Sequence, residues 1–281
     1  MIDIHATAVI HPSAKLGEGV QVGPYAVIGA HSQVGDGTSI GSHAVIEPFT
    51  SIGRDCQIFP HAVIGGVPQD LKYAGEESIT LVGDRNVIRE FVTVNRATGE
   101  GEVTRIGDDN LLMAYVHVAH NCIVGSGVVL ANNVTLAGHV EIQDFATVGG
   151  LVGIHQFCRV GAMAMVGAMT RIVQDVPPYM TVEGSPAKAF GPNTIGLRRR
   201  GLSLETRNAI KQAYRLLYRS GLNLTQALAE METLAHLPEI RHLMAFARAT
   251  ERGFVGRTAK SQATALSQAA DQNPAADEEE A

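Results

Sequence analysis

The sequence predicts a mainly-β chain: a left-handed parallel β-helix of hexapeptide repeats with a C-terminal α-helical cap domain. Three observations carry that expectation. An aliphatic residue recurs every sixth position over most of the chain, glycine is frequent at a fixed place in the unit, and a helical period takes over only after Ser203. A six-residue period fits neither an amphipathic helix, near 3.6, nor a simple strand, at 2. It marks a coil of three short strands per circuit, so that residues three units apart lie one above the other.

The repeat opens at Ile4, Ile10, Leu16, Val22, Ile28, Val34, Ile40, Ile46, Ile52, Ile58 and Ile64. The step is lost at Gly65, regained near Val82, Ile88 and Val94, and lost again from Ala97 to Arg105. Both interruptions, near 65–81 and 97–105, read as loops thrown out from corners, where a rigid scaffold carries binding groups. From Ile106 the register runs unbroken through Leu112, Val118, Val124, Leu130, Leu136, Ile142, Val148, Ile154, Val160, Val166 and Ile172. Because side chains alternate along a strand, the opener and position five of the preceding unit (Val128, Val134, Val140, Ala146, Ala164) both point inward. Glycine at position two (Gly107, Gly125, Gly149, Gly161, Gly167) is expected to turn the corners.

The division that follows is a repeat domain over 1–192, a helical domain over 193–255 and a tail over 256–281. Thr181 to Asn193 reads as a connecting segment. Ser203 is placed to cap a helix from Leu204 to Arg219, whose apolar face is Ile210, Ala213, Leu216 and Leu217; further helices fit Leu224–Ala235 and Pro238–Thr250. Such a cap would cover the open edge of the last coil. The polar tail, closing on Asp277 to Glu280, reads as disordered.

Composition narrows the function. The 281 residues are 45% hydrophobic but only 5% aromatic, with no Trp, as a core of small aliphatics requires. There is no long apolar stretch and no leader-like N-terminus, which predicts a cytoplasmic protein without a transmembrane segment. Cys56, Cys122 and Cys158 lack metal-type spacing and leave one over from any disulfide, so they are expected to be reduced thiols and not nucleophiles. Residues 1–192 carry 10 basic and 18 acidic groups, residues 193–260 carry 12 and 5. Arg207, Lys211, Arg215 and Arg219 recur every four residues, either as a solvated helix face or as a dock for an acidic partner. With no aromatics between them, nucleic acid is disfavoured.

The coil period brings distant residues together. His120 sits at position three, and Gly138 and Gln156 follow on the same edge, one and two circuits on. His139 and His155 lie one residue from that line and His117 three, so His117, His120, His139, His155 and Gln156 converge on one outer wall. His5, His11, His31, His43, His61, His236 and His242 have no such convergence and read as surface residues.

The hexads, the stretch Gln69-Asp70-Leu71-Lys72-Tyr73-Ala74-Gly75, His117-Val118-Ala119-His120, Leu136-Ala137-Gly138-His139, His155-Gln156-Phe157 and Gly196-Leu197-Arg198-Arg199-Arg200-Gly201 together resemble the family of acyl-carrier-protein-dependent UDP-N-acetylglucosamine O-acyltransferases. The likeness runs from Met1 to about Arg252. It implies transfer of a 3-hydroxyacyl group from acyl carrier protein to the 3-hydroxyl of the sugar, the first step of lipid A synthesis, by a homotrimer with sites between subunits. It implies His120 as general base, Asp70 to orient it and stabilise its imidazolium, and the Gly138 N–H as oxyanion donor. Gln69, Lys72, His117, His139, His155 and Gln156 are then substrate contacts, and Asn193, Arg199 and Arg200 meet the nucleotide. Ala168 and Met169 set acyl-chain length. The activated acyl group arrives on the phosphopantetheine arm of acyl carrier protein, so no cofactor or metal is implied.

The chain departs from that family's pattern at Ile195, where a Glu is usual, at Asn95, where some members have His, and at Ala168, often Gly. Three alternatives compete: a hexapeptide acyltransferase with another acceptor, a zinc-dependent hexapeptide carbonic anhydrase-like protein using His117, His120 and His139, and a non-catalytic scaffold.

Overall fold

The computed structural model describes residues 3–257, and the tail expectation lies almost wholly outside them. Within that span the chain winds as a left-handed parallel β-helix of triangular section. We call the face holding Asp3–Ile4 the first, that holding Val9–Ile10 the second and that holding Lys15–Leu16 the third. The first, second and third edges are the corners where the chain leaves the face of the same number. Registers such as Ile4↔Val22 and Val118↔Leu136 realise the predicted circuit.

Every opener from Val22 to Ile172 is buried, as is the position-five set. The core is therefore a column of Ile, Val, Leu and Ala, and each fully buried aliphatic side chain is worth about 1.5–3 kcal/mol. The three thiols lie in or against it. Cys56, Cys122 and Cys158 are free and buried, and burial pushes Cys122 up to about 12 and Cys158 to about 11.

The corners differ from the expectation. The left-handed backbone falls at position four, where Tyr25, His43, Phe91, Asn121, His139 and Phe157 among others have φ near +60°. Such a conformation is strained for most side chains, but the N–H there bonds the preceding coil, as in His139 to the His120 carbonyl at 3.1 Å. Position-two glycine serves a separate need. A Cβ on Gly107 would stand 2.7 Å from the Gly125 carbonyl oxygen one coil on, and one on Gly149 would stand 2.6 Å from the Ala168 nitrogen. Close stacking, not turning, excludes a side chain there.

Side chains at position four stack into ladders. Along the first edge the rings of Tyr25, His43, His61, Phe91 and Tyr115 succeed one another at 5.0, 5.0, 4.9 and 5.1 Å, near parallel. His43 and His61 are thus not isolated surface residues, because one side chain per coil meets its counterpart on the next. On the third edge, position three carries carboxylates that hold turn amides of the coil before: Asp36 accepts from Glu18 N at 2.7 Å, Asp84 from Arg54 N at 2.9 Å and Asp144 from Ser126 N at 2.8 Å.

The two interruptions are shorter than predicted and leave from one edge. Strand Ile79–Val82 takes up the end of the first, pairing with Thr50–Ile52 and Val103–Ile106, so the loops are 67–78 and 96–102. Both follow second-face strands, Val63–Gly66 and Thr93–Asn95, and emerge at the second edge.

At the C-terminal end the presumed connector is a hairpin. Met180–Glu183 continues the first face in parallel, and Lys188–Pro192 folds back on it antiparallel. Four α-helices follow among the described residues: α1 (Thr194–Arg199), missed in the sequence for want of a full apolar period, then α2 (Leu204–Tyr218), α3 (Leu224–Met231) and α4 (Pro238–Arg248). Ser203 caps α2 as expected. The helices bury Leu197, Ile210, Leu217, Met231, Ile240 and Leu243 together with Tyr179 and Met180 of the last coil. Arg159 joins the two parts: it pairs with the buried Asp175 at 2.8 Å and donates to the Phe246 carbonyl of α4 at 3.0 Å. No helix among the described residues is long and apolar enough to cross a membrane.

Gly107→Ala is expected to lower stability by about 1–3 kcal/mol through overpacking. Gly153→Ala, where a Cβ meets open space, is expected to stay within about 0.5 kcal/mol. Thermal unfolding of the two variants checks the pair.

Candidate active site

The second edge gathers the predicted wall. His120 leaves the chain two residues past the buried opener Val118, and its side chain is 15% exposed. Gly138, one coil on, is buried, and a Cβ there would sit 2.5 Å from His120 Cε1 and Nε2. Glycine at 138 therefore makes the space that the imidazole fills. Its N–H has no acceptor among the described residues, unlike the corresponding third-edge amides that aspartates hold. An unclaimed N–H beside an imidazole is what a developing oxyanion requires.

The ring of His120 is held on both sides. Nδ1 contacts Asn121 Oδ1 at 2.9 Å, and Nε2 faces Asp70 Oδ2 at 3.8 Å. That is charge contact and not hydrogen-bond length, and the short contact on the ring is the one to Asn121. Asp70 is itself fixed, since its Oδ1 accepts from Lys72 N at 3.0 Å and Oδ2 is left toward the ring. His139 meets the His120 ring edge-on at 5.3 Å and stacks on Phe157 at 4.6 Å. His117, on the second face, bonds Thr93 Oγ1 through Nδ1 at 2.8 Å.

Burial, and secondarily the charge of His120, lowers the pKa of both His117 and His139. Both are neutral at neutral pH and leave His120 free of charged imidazole neighbours. His155 and Gln156 are exposed above them, His155 Nδ1 lying 3.2 Å from the Gln156 carbonyl. Among the described residues no three His, Cys, Asp or Glu side chains are grouped to hold a metal, and the His120 and His139 rings meet edge to face.

The two loops are bound to each other. Glu76 accepts from Ala74 N at 2.8 Å and Gly99 N at 2.9 Å, contacts that hold its carboxyl below the usual carboxylate range. Glu100 accepts from Glu77 N, Ser78 Oγ donates to the Ala97 carbonyl, and Arg96 donates to the Tyr73 hydroxyl. Asn95 Nδ2 donates to the Val67 carbonyl at 2.9 Å and fixes where the first loop departs. Sequence reasoning missed this scaffolding, since Glu76 and Thr98 sit in loops without a period.

The remaining predicted residues lie elsewhere. Asn193 caps α1, accepting from Gly196 N and donating to the Met163 carbonyl. Arg200 covers Phe145 of the third edge at 4.1 Å, and Arg199 is exposed beside it on α1. Ala168 and Met169 are exposed on the first edge. The histidines, the arginine-bearing helix and Ala168 with Met169 thus occupy three different edges of one prism. A hollow of about 310 Å³ is lined by His139, Phe157 and Glu251, and one of about 220 Å³ by His155 and Arg171.

The chain is similar to known proteins over most of its length. The family profile described as "Udp N-acetylglucosamine O-acyltransferase; Domain 2" matches residues 175–255, and that described as "Bacterial transferase hexapeptide (six repeats)" matches 31–66 and 104–138. An acyl-[acyl-carrier-protein]–UDP-N-acetylglucosamine O-acyltransferase of Anaeromyxobacter dehalogenans is 49% identical over 252 residues, covering 89% of this chain and 98% of that protein. The UDP-N-acetylglucosamine O-acyltransferase structure from Moraxella catarrhalis is 45% identical, covers 90% of this chain and 99% of its own, and superposes with a TM-score of 0.87. The Bacteroides fragilis UDP-N-acetylglucosamine acyltransferase structure gives 44%, 90%, 99% and 0.88.

The lowered His117 pKa predicts a pH effect on stability. The unfolded imidazole takes its proton near the ordinary value of about 6.5, before the folded one does, so stability falls as pH drops through that point. His117→Gln is expected to flatten the decline in melting temperature between about pH 7.5 and 5.

Proposed function

The chain belongs to the UDP-N-acetylglucosamine O-acyltransferase family, and from that premise we propose a division of labour along its second edge: His120 as base, Asp70 as its countercharge, the Gly138 N–H as oxyanion donor. The chain is an acyltransferase. It moves a 3-hydroxyacyl group from acyl carrier protein to the 3-hydroxyl of UDP-N-acetylglucosamine, the step that begins lipid A synthesis.

A sugar hydroxyl is a weak nucleophile at neutral pH, so His120 takes its proton as the oxygen attacks the thioester carbonyl. Asp70, 3.8 Å away, stabilises the imidazolium that forms. The carbonyl oxygen becomes an oxyanion at the Gly138 N–H, and the intermediate collapses by expelling the phosphopantetheine thiolate, which recovers the proton from His120. The thioester supplies the activation, so the step requires no cofactor. The observation that carries this reading is the common edge: both loops, His120 and the cleared space at Gly138 share it.

Gln69, Lys72, His117, His139, His155 and Gln156 then border the sugar, phosphates and acyl group. Arg199 and Arg200 take the diphosphate, presented by the helix that Asn193 caps. Ala168 and Met169 close the acyl groove. Because these groups stand on three edges and the wall is nearly flat, the full site forms between copies in a homotrimer, where a cleft replaces a surface. The exposed ridge of Lys211, Arg215 and Arg219 docks the acidic acyl carrier protein. The same reading places the enzyme in the cytoplasm.

Mass-spectrometric assay of 3-hydroxyacyl transfer to UDP-N-acetylglucosamine tests the reading. Wild type is expected to form product and His120→Ala to lose roughly 10²–10⁴ of the rate; full activity in the variant would remove His120 from the chemistry. Ala168→Gly is expected to shift the preferred acyl chain longer, each methylene being worth about 1–3 kcal/mol. An unmoved profile would take Ala168 out of the groove.

A further inference from the structure

We propose that Asn121 is a positioning residue that fixes His120 in the tautomer protonated at Nδ1, leaving the Nε2 lone pair as the base, and that Thr98 holds Asn121 in the orientation this requires. The assignment rests on His120 being the base.

The hydrogen bonds decide the tautomer. Thr98 N–H donates to Asn121 Oδ1 at 2.9 Å, and Asn121 Nδ2 donates to the Thr98 carbonyl at 3.1 Å. A backbone N–H can only donate and a carbonyl only accept, so these two contacts fix which end of the amide is oxygen. That oxygen lies 2.9 Å from His120 Nδ1, and being an acceptor alone it requires Nδ1 to carry the hydrogen. The Thr98 hydroxyl adds a second bond to the same oxygen at 2.9 Å.

Nε2 then presents its lone pair between Asp70 Oδ2 and the space cleared at Gly138. The backbone prepares this arrangement. Asn121 stands at a left-handed corner with φ 57°, which asparagine tolerates well, and its N–H donates to Thr104 Oγ1 at 2.8 Å. Because Asn121 is uncharged, it stabilises the imidazolium less than a carboxylate would, and the countercharge falls to Asp70. The second loop thereby gains a purpose: residue 98 is carried there by the staple between Glu76 and the Gly99 N–H.

The test is nitrogen NMR of histidine-labelled full-length enzyme, with His120→Gln to assign the signals, beside steady-state kinetics. The wild-type His120 is expected to show a protonated Nδ1 and an unprotonated Nε2 above its titration. Asn121→Leu is expected to mix the tautomers and lower kcat roughly ten- to a hundredfold, part of what a positioned base supplies, with KM little changed. Asn121→Asp, which keeps the acceptor, is expected to restore the Nδ1–H form and most of kcat. A wild-type ring protonated at Nε2 would overturn the proposal without any variant, as would Asn121→Leu with unchanged tautomer and kcat. If instead His120→Ala remains active while the tautomer is as described, the base assignment has failed and the positioning has not.

Discussion

Everything in this molecule depends on the hydrogen bonds between successive coils, which oblige each residue to lie over its counterpart one circuit away. The inward column accepts only aliphatic side chains, since Ile28, Ile46 and Ile64 must stack without gaps. The same repetition makes edges into rows of like function: rings on the first, carboxylates holding amides on the third, histidines on the second. A site built this way inherits the rigidity of the ladder, so the spacing between His120 and Gly138 is set by coil spacing and not by side-chain choice.

Departures from the repeat are confined to where chemistry needs them. Two loops leave the second edge on adjoining coils and clasp each other through Glu76, Ser78, Arg96 and Glu100. One end of the clasp delivers Asp70 to the Nε2 side of His120, the other delivers Thr98 toward Nδ1. Each ring nitrogen is therefore addressed by a different loop, while the ring itself belongs to the scaffold. The N–H at Gly138 is left open as well, where Asp36, Asp84 and Asp144 hold the amides one coil before them on the third edge.

How much of this was legible follows from periodicity. The opener and position-five residues specify the inward face outright, and the coil spacing alone set His120 beside Gly138 and His139. The corner geometry was misread because glycine suggests a turn, whereas its role at position two is to let the next coil approach. The loop clasp, the Asn121 bond and the Lys188–Pro192 return strand left no period to detect, for they arise from contacts fixed only once the coils are stacked. Asn193 reads as a ligand contact by resemblance; what its side chain also does, capping α1 and bonding the Met163 carbonyl, has no period to announce it.

The return strand also makes the two ends of the prism unequal. At the C-terminal end the hairpin reverses chain direction and the helices bury what remains, so no further parallel coil can be templated there. At the other end Ile4 stays 44% exposed, with Ile10 and Leu16 half-covered. The hairpin and helices thus act at their end as an edge protector, removing the unpaired parallel edge on which a strand of another chain could add.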